Sequence, residues 1–300
     1  MQFTKPPKTI EEQIALLRSR GMIIDDYDHS YHSLAHLNYY RLAGYWLPFQ
    51  KNRITHQFNP GIHFEEILNV YMFDKKLRLL LLNAIERVEV SIRTQWAYHL
   101  AIKYGSHAYL NEELFSRKEI FNKDKEALLG EIDRSDEVFI RHYHDTYDNP
   151  KLPPIWSICE VMSFGLLSRF FSNLKPKEIR RAIANTYGLD DAVMQSLLRH
   201  LAYIRNLCAH HSRIWNRRLT VTIKLPRSKP PGLICNFNAT KKQERNLYNT
   251  LVMLIYLMDI INPSNKWKGR LSHLVTKHSV DVYPMGFPAS YKELPIWKMQ

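Results

Sequence analysis

Three hundred residues suit one large domain, or a domain with a small appendage, and 45% hydrophobic against 24% charged residues is the balance of a globular chain. Lys plus Arg outnumber Asp plus Glu by 42 to 29, a net charge of +13, which points to an anionic partner and away from an acidic solvating chain. Ten glycines argue against a sheet full of tight turns, and the three cysteines (Cys159, Cys208, Cys235) show no paired spacing, against a disulfide frame or a Cys-rich zinc site.

Residues 1–8 are basic and Pro-containing and read as a loose arm without the features of a signal peptide. Thr9 with Glu12 forms a capping-box pattern ahead of Ile10, Ile14, Leu16 and Leu17, and Gly21 ends that helix. A second helix is predicted over 27–41, with the aromatic stretch to Phe49 packing after it. His29, His32 and His36, beside Asp25, Asp26 and Asp28, can be read as metal ligands or as a plain polar helix face; the second reading is preferred, and no metal or other cofactor is predicted. Residues 1–60 are expected to form an N-terminal helical subdomain that recognises substrate or a partner, 61–262 the main helical domain, and 263–300 a C-terminal helix with an extended tail.

Phe64–Tyr104 is the longest helical text, apolar all round near 79–82 and so expected to be deeply buried there. Glu86, Glu89 and Arg93 interrupt its apolar run, and Glu89 with Arg93 makes a four-step pair. Residues 105–150 read as a helical insertion with one mixed-charge segment over 117–143, closed by a Pro-rich loop to Pro154. One core helix is predicted over 155–173, with Gly165 in close backbone contact with a neighbour, and a short one over 176–184. Asp191–Ala209 follows, its core face marked by Val193, Leu197, Leu201, Ile204 and Cys208. The alternation of β-branched residues over 219–225 predicts a short strand, the one minor β element in an otherwise all-α chain. Residues 228–238 form a loop able to close over a nucleic-acid strand, and helices follow over 246–261 and 265–278. The run 251–258 is far too short to span a membrane, so a soluble protein of a reducing cytoplasm is expected. The tail aromatics Tyr283, Phe287, Tyr291 and Trp297 either wrap the surface or offer a stacking platform for bases.

Charge gathers where the last long polar run lies. Between residues 199 and 245 stand Arg199, Arg205, Arg213, Arg217, Arg218, Lys224, Arg227, Lys229, Lys241, Lys242 and Arg245, eleven cations against the single acid Glu244, so that +10 of the +13 is here. A solvated surface is the plain reading; nucleic acid is preferred because Arg205, Asn206, His210 and His211 fall inside the same window. A guanidinium, an amide and imidazoles are suited to holding a phosphate and moving a proton beside it. If the helix runs on past Ala209, then Asn206, His210, Arg213 and Arg217 share one stripe, and Asn206, four residues before His210, can fix that imidazole. The rival reading makes Asn206 and His210 braces at the end of a core helix, with Arg205 paired to a buried Glu.

Arg205-Asn206-x-x-x-His210 resembles the Arg-x4-6-His motif of the HEPN superfamily, which is helical and includes many RNases. Tyr40 through Trp46, Ile85 through Arg93, and Trp156 through Glu160 to Phe164-Gly165 resemble stretches of the abortive-infection AbiD/AbiF group of bacterial phage-defence proteins. The four stretches in order, across roughly residues 10–262, are more specific than the motif alone: Arg93 and His99 also fit the spacing but lack the following Asn and the basic surroundings. The resemblance implies a HEPN-like helical bundle whose first long helix packs on the motif helix, with Glu86 or Glu89 (beside Arg93) bracing Arg205 or His210 and raising the pKa of that imidazole. It implies a toxic bacterial endoribonuclease acting as a homodimer with two motifs facing across the axis. Arg205, Asn206 and His210 are then the catalytic set, His211 a supporting residue, and the basic residues named above the RNA contacts. With no carboxylate cluster or Cys/His set suited to a catalytic metal, acid–base chemistry on the RNA 2′-OH is expected. The alternative is a non-catalytic module forming a ribonucleoprotein with a dedicated small RNA; a third possibility is an adaptor with protein partners only.

Overall fold

The computed structural model describes residue 2, residues 6–241 and residues 243–298; the start of the predicted arm and Lys242 lie outside the described residues. The chain is all-α. Its helices are α1 (Ile10–Ser19), α2 (Tyr27–His36), α3 (Tyr39–Trp46), α4 (Phe64–Tyr104), α5 (Lys118–Asp133), α6 (Val138–Thr146), α7 (Ile155–Val161), α8 (Phe164–Asn173), α9 (Lys177–Asn185), α10 (Asp191–Ala209), α11 (Pro231–Ile234), α12 (Tyr248–Ile261) and α13 (Trp267–His278). Among the described residues there is no sheet, only isolated bridges pairing Ile23 with His63, Gln50 with Phe58 and Phe115 with Leu174. The chain divides into two compact units, one running through Leu77 and including His273–Val280, the other Arg78–Ser272 with the residues from Asp281 on.

In the first unit the capping box forms as the sequence requires: Thr9 N–H donates to Glu12 Oε2 at 2.8 Å and Glu12 N–H to Thr9 Oγ1 at 3.3 Å. Gly21, at φ +90°, ends α1. The helix expected over 27–41 is two. Leu37 is extended at φ −119° and ψ 111°, and Asn38 Oδ1 accepts the Tyr40 N–H at 2.8 Å, so a polar cap restarts the chain as α3. Ile14, Leu17, Leu34, Leu42 and Trp46 are buried with Phe64, Ile67 and Phe73 of α4, and Tyr45 donates its hydroxyl to the buried Asp74 at 2.6 Å. The His32 and His36 rings lie 4.5 Å apart between centroids. No group of three or more His, Cys, Asp or Glu gathers as a metal requires anywhere among the described residues.

The second unit is built around α10. Asp190 caps it by accepting the Val193 N–H at 2.9 Å. Val193, Met194, Leu197, Leu198, Leu201, Ile204 and Cys208 are then buried at three-and-four spacing against α8 and α9. Each buried Leu contributes about 2 kcal/mol of transfer free energy. From α4, Trp96 packs edge-on to Phe170 of α8 at 5.9 Å, and Ser91 bonds the Tyr187 hydroxyl at 2.7 Å in the turn that launches α10.

Several expectations fail here for local reasons. The segment over 117–143 breaks into α5 and α6 where Ser135 Oγ accepts the Glu137 N–H at 3.3 Å. The helix over 155–173 breaks at Met162 (ψ 128°), because Ser163 N–H turns to Glu131 Oε2 at 2.8 Å and Arg93 takes the carbonyls of Glu160 at 2.9 Å and Met162 at 2.7 Å. Gly165 makes no close backbone contact: a Cβ there would meet only the Arg169 guanidinium, at 3.9 Å. Leu79 is 61% exposed, so α4 is not buried all round over 79–82. Phe287 and Trp297 are buried with Tyr248, which removes them from any stacking platform, and Trp297 Nε1 donates to the Tyr248 hydroxyl at 3.1 Å.

The predicted strand over 219–225 is absent, and the helix beside it explains why. Three side chains on one face of α10 hold the backbone of this extended segment. Tyr203 Oη accepts from Thr220 N–H at 3.4 Å, His200 bonds the Val221 carbonyl at 2.8 Å, and Ser196 Oγ accepts from Lys224 N–H at 2.9 Å. Residues 196, 200 and 203 are spaced four and three apart, so the segment runs along the helix as a strap. Three of its backbone groups are paired with helix side chains, and Leu219 N–H donates to the Arg245 carbonyl at 2.7 Å.

Candidate active site and nucleic-acid interface

The helix ends inside the motif. His210 is the C-cap, His211 adopts φ +55°, and the two closing bonds run from Ser212 N–H to Leu207 O at 2.9 Å and from His211 N–H to Cys208 O at 3.0 Å. That pattern is a Schellman motif with a histidine in the left-handed position that glycine usually occupies. The stripe from Asn206 through Arg217 is therefore not continuous: the chain leaves the helix after Ala209, and Arg213 and Arg217 belong to the following turn. Buried Ile214 and Trp215 anchor that turn, Trp215 Nε1 donating to the Asp281 carbonyl at 3.2 Å, and Arg217 Nη1 donates to the Arg213 carbonyl at 3.4 Å.

Arg205, Asn206, His210 and His211 are all exposed at this helix end. Arg205 Nη1 donates to Asn206 Oδ1 at 3.2 Å. The amide thus orients the guanidinium, while its link to His210 runs through the backbone, His210 N–H donating to the Asn206 carbonyl at 2.9 Å.

Glu89 of α4, 9% exposed, lies within the electrostatic reach of Arg205. Burial raises its carboxyl above the usual carboxylate range; Arg93 and then Arg205 pull it back. Arg93 Nη2 donates to Glu89 Oε1 at 2.5 Å, and the same guanidinium caps α7 through the Glu160 and Met162 carbonyls. Glu89 with Arg93 is thus a buried pair that joins α4, the α7–α8 break and the charge of Arg205. Glu86 is exposed one turn earlier, acting on this group only as a like charge near Glu89.

Of the predicted RNA contacts, Arg199, Arg218, Lys224, Arg227, Lys229 and Lys241 are exposed and Arg213 and Arg217 half-buried; Lys242 is outside the described residues. The sequence reading missed His200 and Tyr203. His200 is fully buried, with Nδ1 on the Val221 carbonyl and Nε2 2.8 Å from Thr250 Oγ1. Burial lowers its pKa to about 4, so it is the neutral tautomer that donates from Nδ1 and accepts at Nε2. Burial alone would raise the Tyr203 phenol, but its bonds to Thr220 and Arg217 outweigh that and lower it. Two polar side chains inside an apolar helix face were the available signal.

Fold and site together define an all-α protein whose central helix ends in an exposed Arg-Asn-His set on a basic face. The model of the family described as Abi-like protein matches residues 32–216, and the chain belongs to that family, a membership that points to abortive infection, the phage-defence response. No curated protein and no solved structure matches the chain. Among the described residues no helix is long and apolar enough to cross a membrane.

Proposed function

We propose that the protein is a metal-independent endoribonuclease of the HEPN type, acting in phage defence in the bacterial cytoplasm as a homodimer. The observation that carries this reading is the exposed helix end, where Arg205 is oriented by Asn206 and feels the charge of Glu89 while His210 faces solvent immediately before the left-handed His211. RNA supplies its own nucleophile. His210 takes the 2′-OH proton as O2′ attacks phosphorus, or delivers a proton to the departing 5′-oxygen. Arg205 neutralises the non-bridging oxygens as charge builds on them. The products are a 2′,3′-cyclic phosphate and a free 5′-hydroxyl. A second protomer would supply the other proton carrier, as the family resemblance implies. The basic surface from Arg199 to Lys241 would carry the strand.

The test is digestion of labelled RNA in EDTA by wild type, Arg205→Ala and His210→Ala. Each substitution should lower cleavage at least a hundredfold while leaving strand binding by His210→Ala within a few-fold of wild type. If RNA binds and neither substitution alters any cleavage or toxicity, the protein is a non-catalytic RNA-binding module. That alternative is favoured by one detail, that Asn206 serves Arg205 and not the His210 ring.

A further inference from the structure

A cleft of about 380 Å³ lies between α10 at His200, residues 223–227 and the start of α12. We propose that it binds one unpaired nucleotide of the RNA, and that the base it takes is guanine. The proposal rests on the RNA reading above.

The size fits: small-ligand sites begin at about 300 Å³. The walls are apolar, formed by Leu225, Pro226, Ile234 and Phe237. The floor is fixed. His200 is spent on Val221 and Thr250, and Asn249 is locked to Asn238 in both directions at 2.9 Å, accepting its N–H and donating to its carbonyl. The polar groups left to meet a ligand are the half-buried Asn246, whose amide nitrogen already bonds Gln243 and the Pro284 carbonyl, and the exposed Lys224, Arg227 and Glu244 at the mouth.

Glu244 is the informative one. It is the only acid between residues 199 and 245, and it lines this cleft. On a face built for phosphates a carboxylate repels the backbone, so its place here fits a partner that presents N–H groups. Guanine alone among the four bases offers two adjacent donors, N1–H and N2–H, on its Watson–Crick edge, matching two carboxylate oxygens. Adenine, cytosine and uracil each set an acceptor beside their single donor group. Unstacked bases in single strands are read on this edge and packed against aromatic side chains, the part Phe237 can take. Lys224 and Arg227 then meet the flanking phosphates. His200 lies five residues before Arg205 on the same helix, about 7.5 Å along its axis and about 140° around it, so a strand anchored here passes around α10 to reach Arg205.

The experiment is fluorescence anisotropy with the His210→Ala protein, which keeps the strand intact, and two labelled RNA octamers, all-A and A with one central G. The G strand should bind about tenfold tighter. In the same background Glu244→Gln should bring the G/A ratio close to one, and Phe237→Ala should weaken the G strand more than the A strand. Equal affinities in the parent, or a ratio that survives Glu244→Gln, overturn the guanine cleft and leave the RNA reading intact. If neither strand binds, the RNA reading fails and calorimetry with GMP and AMP decides the cleft alone. GMP binding that is lost in Glu244→Gln supports a site for the free nucleotide; no GMP binding overturns the cleft as well.

Discussion

His200 makes the fold sensitive to acid in a calculable way. Its imidazole is neutral in the folded state because burial holds the pKa near 4, whereas an exposed histidine titrates at 6.5. Between those values the unfolded chain binds a proton that the folded chain refuses, so stability falls as pH drops through the window. One pKa unit is worth about 1.4 kcal/mol. The full difference is therefore about 3 kcal/mol, about 2 of it already lost by pH 5. The bond from His200 to the Val221 carbonyl works the other way and offsets only part of the burial. The assay is urea denaturation of wild type and His200→Gln between pH 7 and 4. Glutamine can donate to Val221 and accept from Thr250 but does not titrate, so all other groups cancel in the difference. Wild type should lose about 2 kcal/mol more than the variant by pH 5. A wild-type-minus-variant difference that stays flat from pH 7 to 4 would refute the assignment of a buried neutral imidazole.

Three further outcomes follow from the same contacts. Glu89→Ala should cost about 3 kcal/mol in urea melts because it strands the Arg93 charge, and the double variant Glu89→Ala, Arg93→Met should recover part of that loss. Gly188→Ala should lower stability by about 2 kcal/mol: Gly188 sits at φ +62°, and a Cβ would come within 2.8 Å of the Tyr256 hydroxyl, which donates to the Tyr187 carbonyl at the turn into α10. His211→Gly should keep the helix end intact by circular dichroism, since glycine meets no penalty in the left-handed position; any fall in RNA cleavage then belongs to the imidazole.

The start of α1, the whole of α4 and the body of α10 were legible because the signals are local: the Thr9–Glu12 box, an uninterrupted helical text, and an apolar face at three-and-four spacing. The breaks at 37–38, 134–137 and 162–163 were not. Two rest on single polar caps, Asn38 and Ser135, that also sit comfortably inside helices. The third depends on Arg93 arriving from α4. The strand over 219–225 failed because β-branched alternation reports a half-buried extended backbone without naming its partner, and here the partner is a helix. In the candidate site Arg205, Asn206 and His210 could be picked out in sequence, but the left-handed His211 that stops the stripe could not. The influence of Arg205 on Glu89 was expected only from the family resemblance, because the two side chains stand on helices far apart in sequence.

The strap along α10 has a bearing on how such a protein changes over time. Ser196, His200 and Tyr203 grip peptide groups, which every residue type except proline presents alike. The outward side chains of Thr220, Thr222 and Lys224 are thus free of any anchoring duty. They can be exchanged one at a time without unseating the segment that displays them. Helix and strap divide the labour: one is held constant by what it must bind at home, and the other can drift with what it meets abroad.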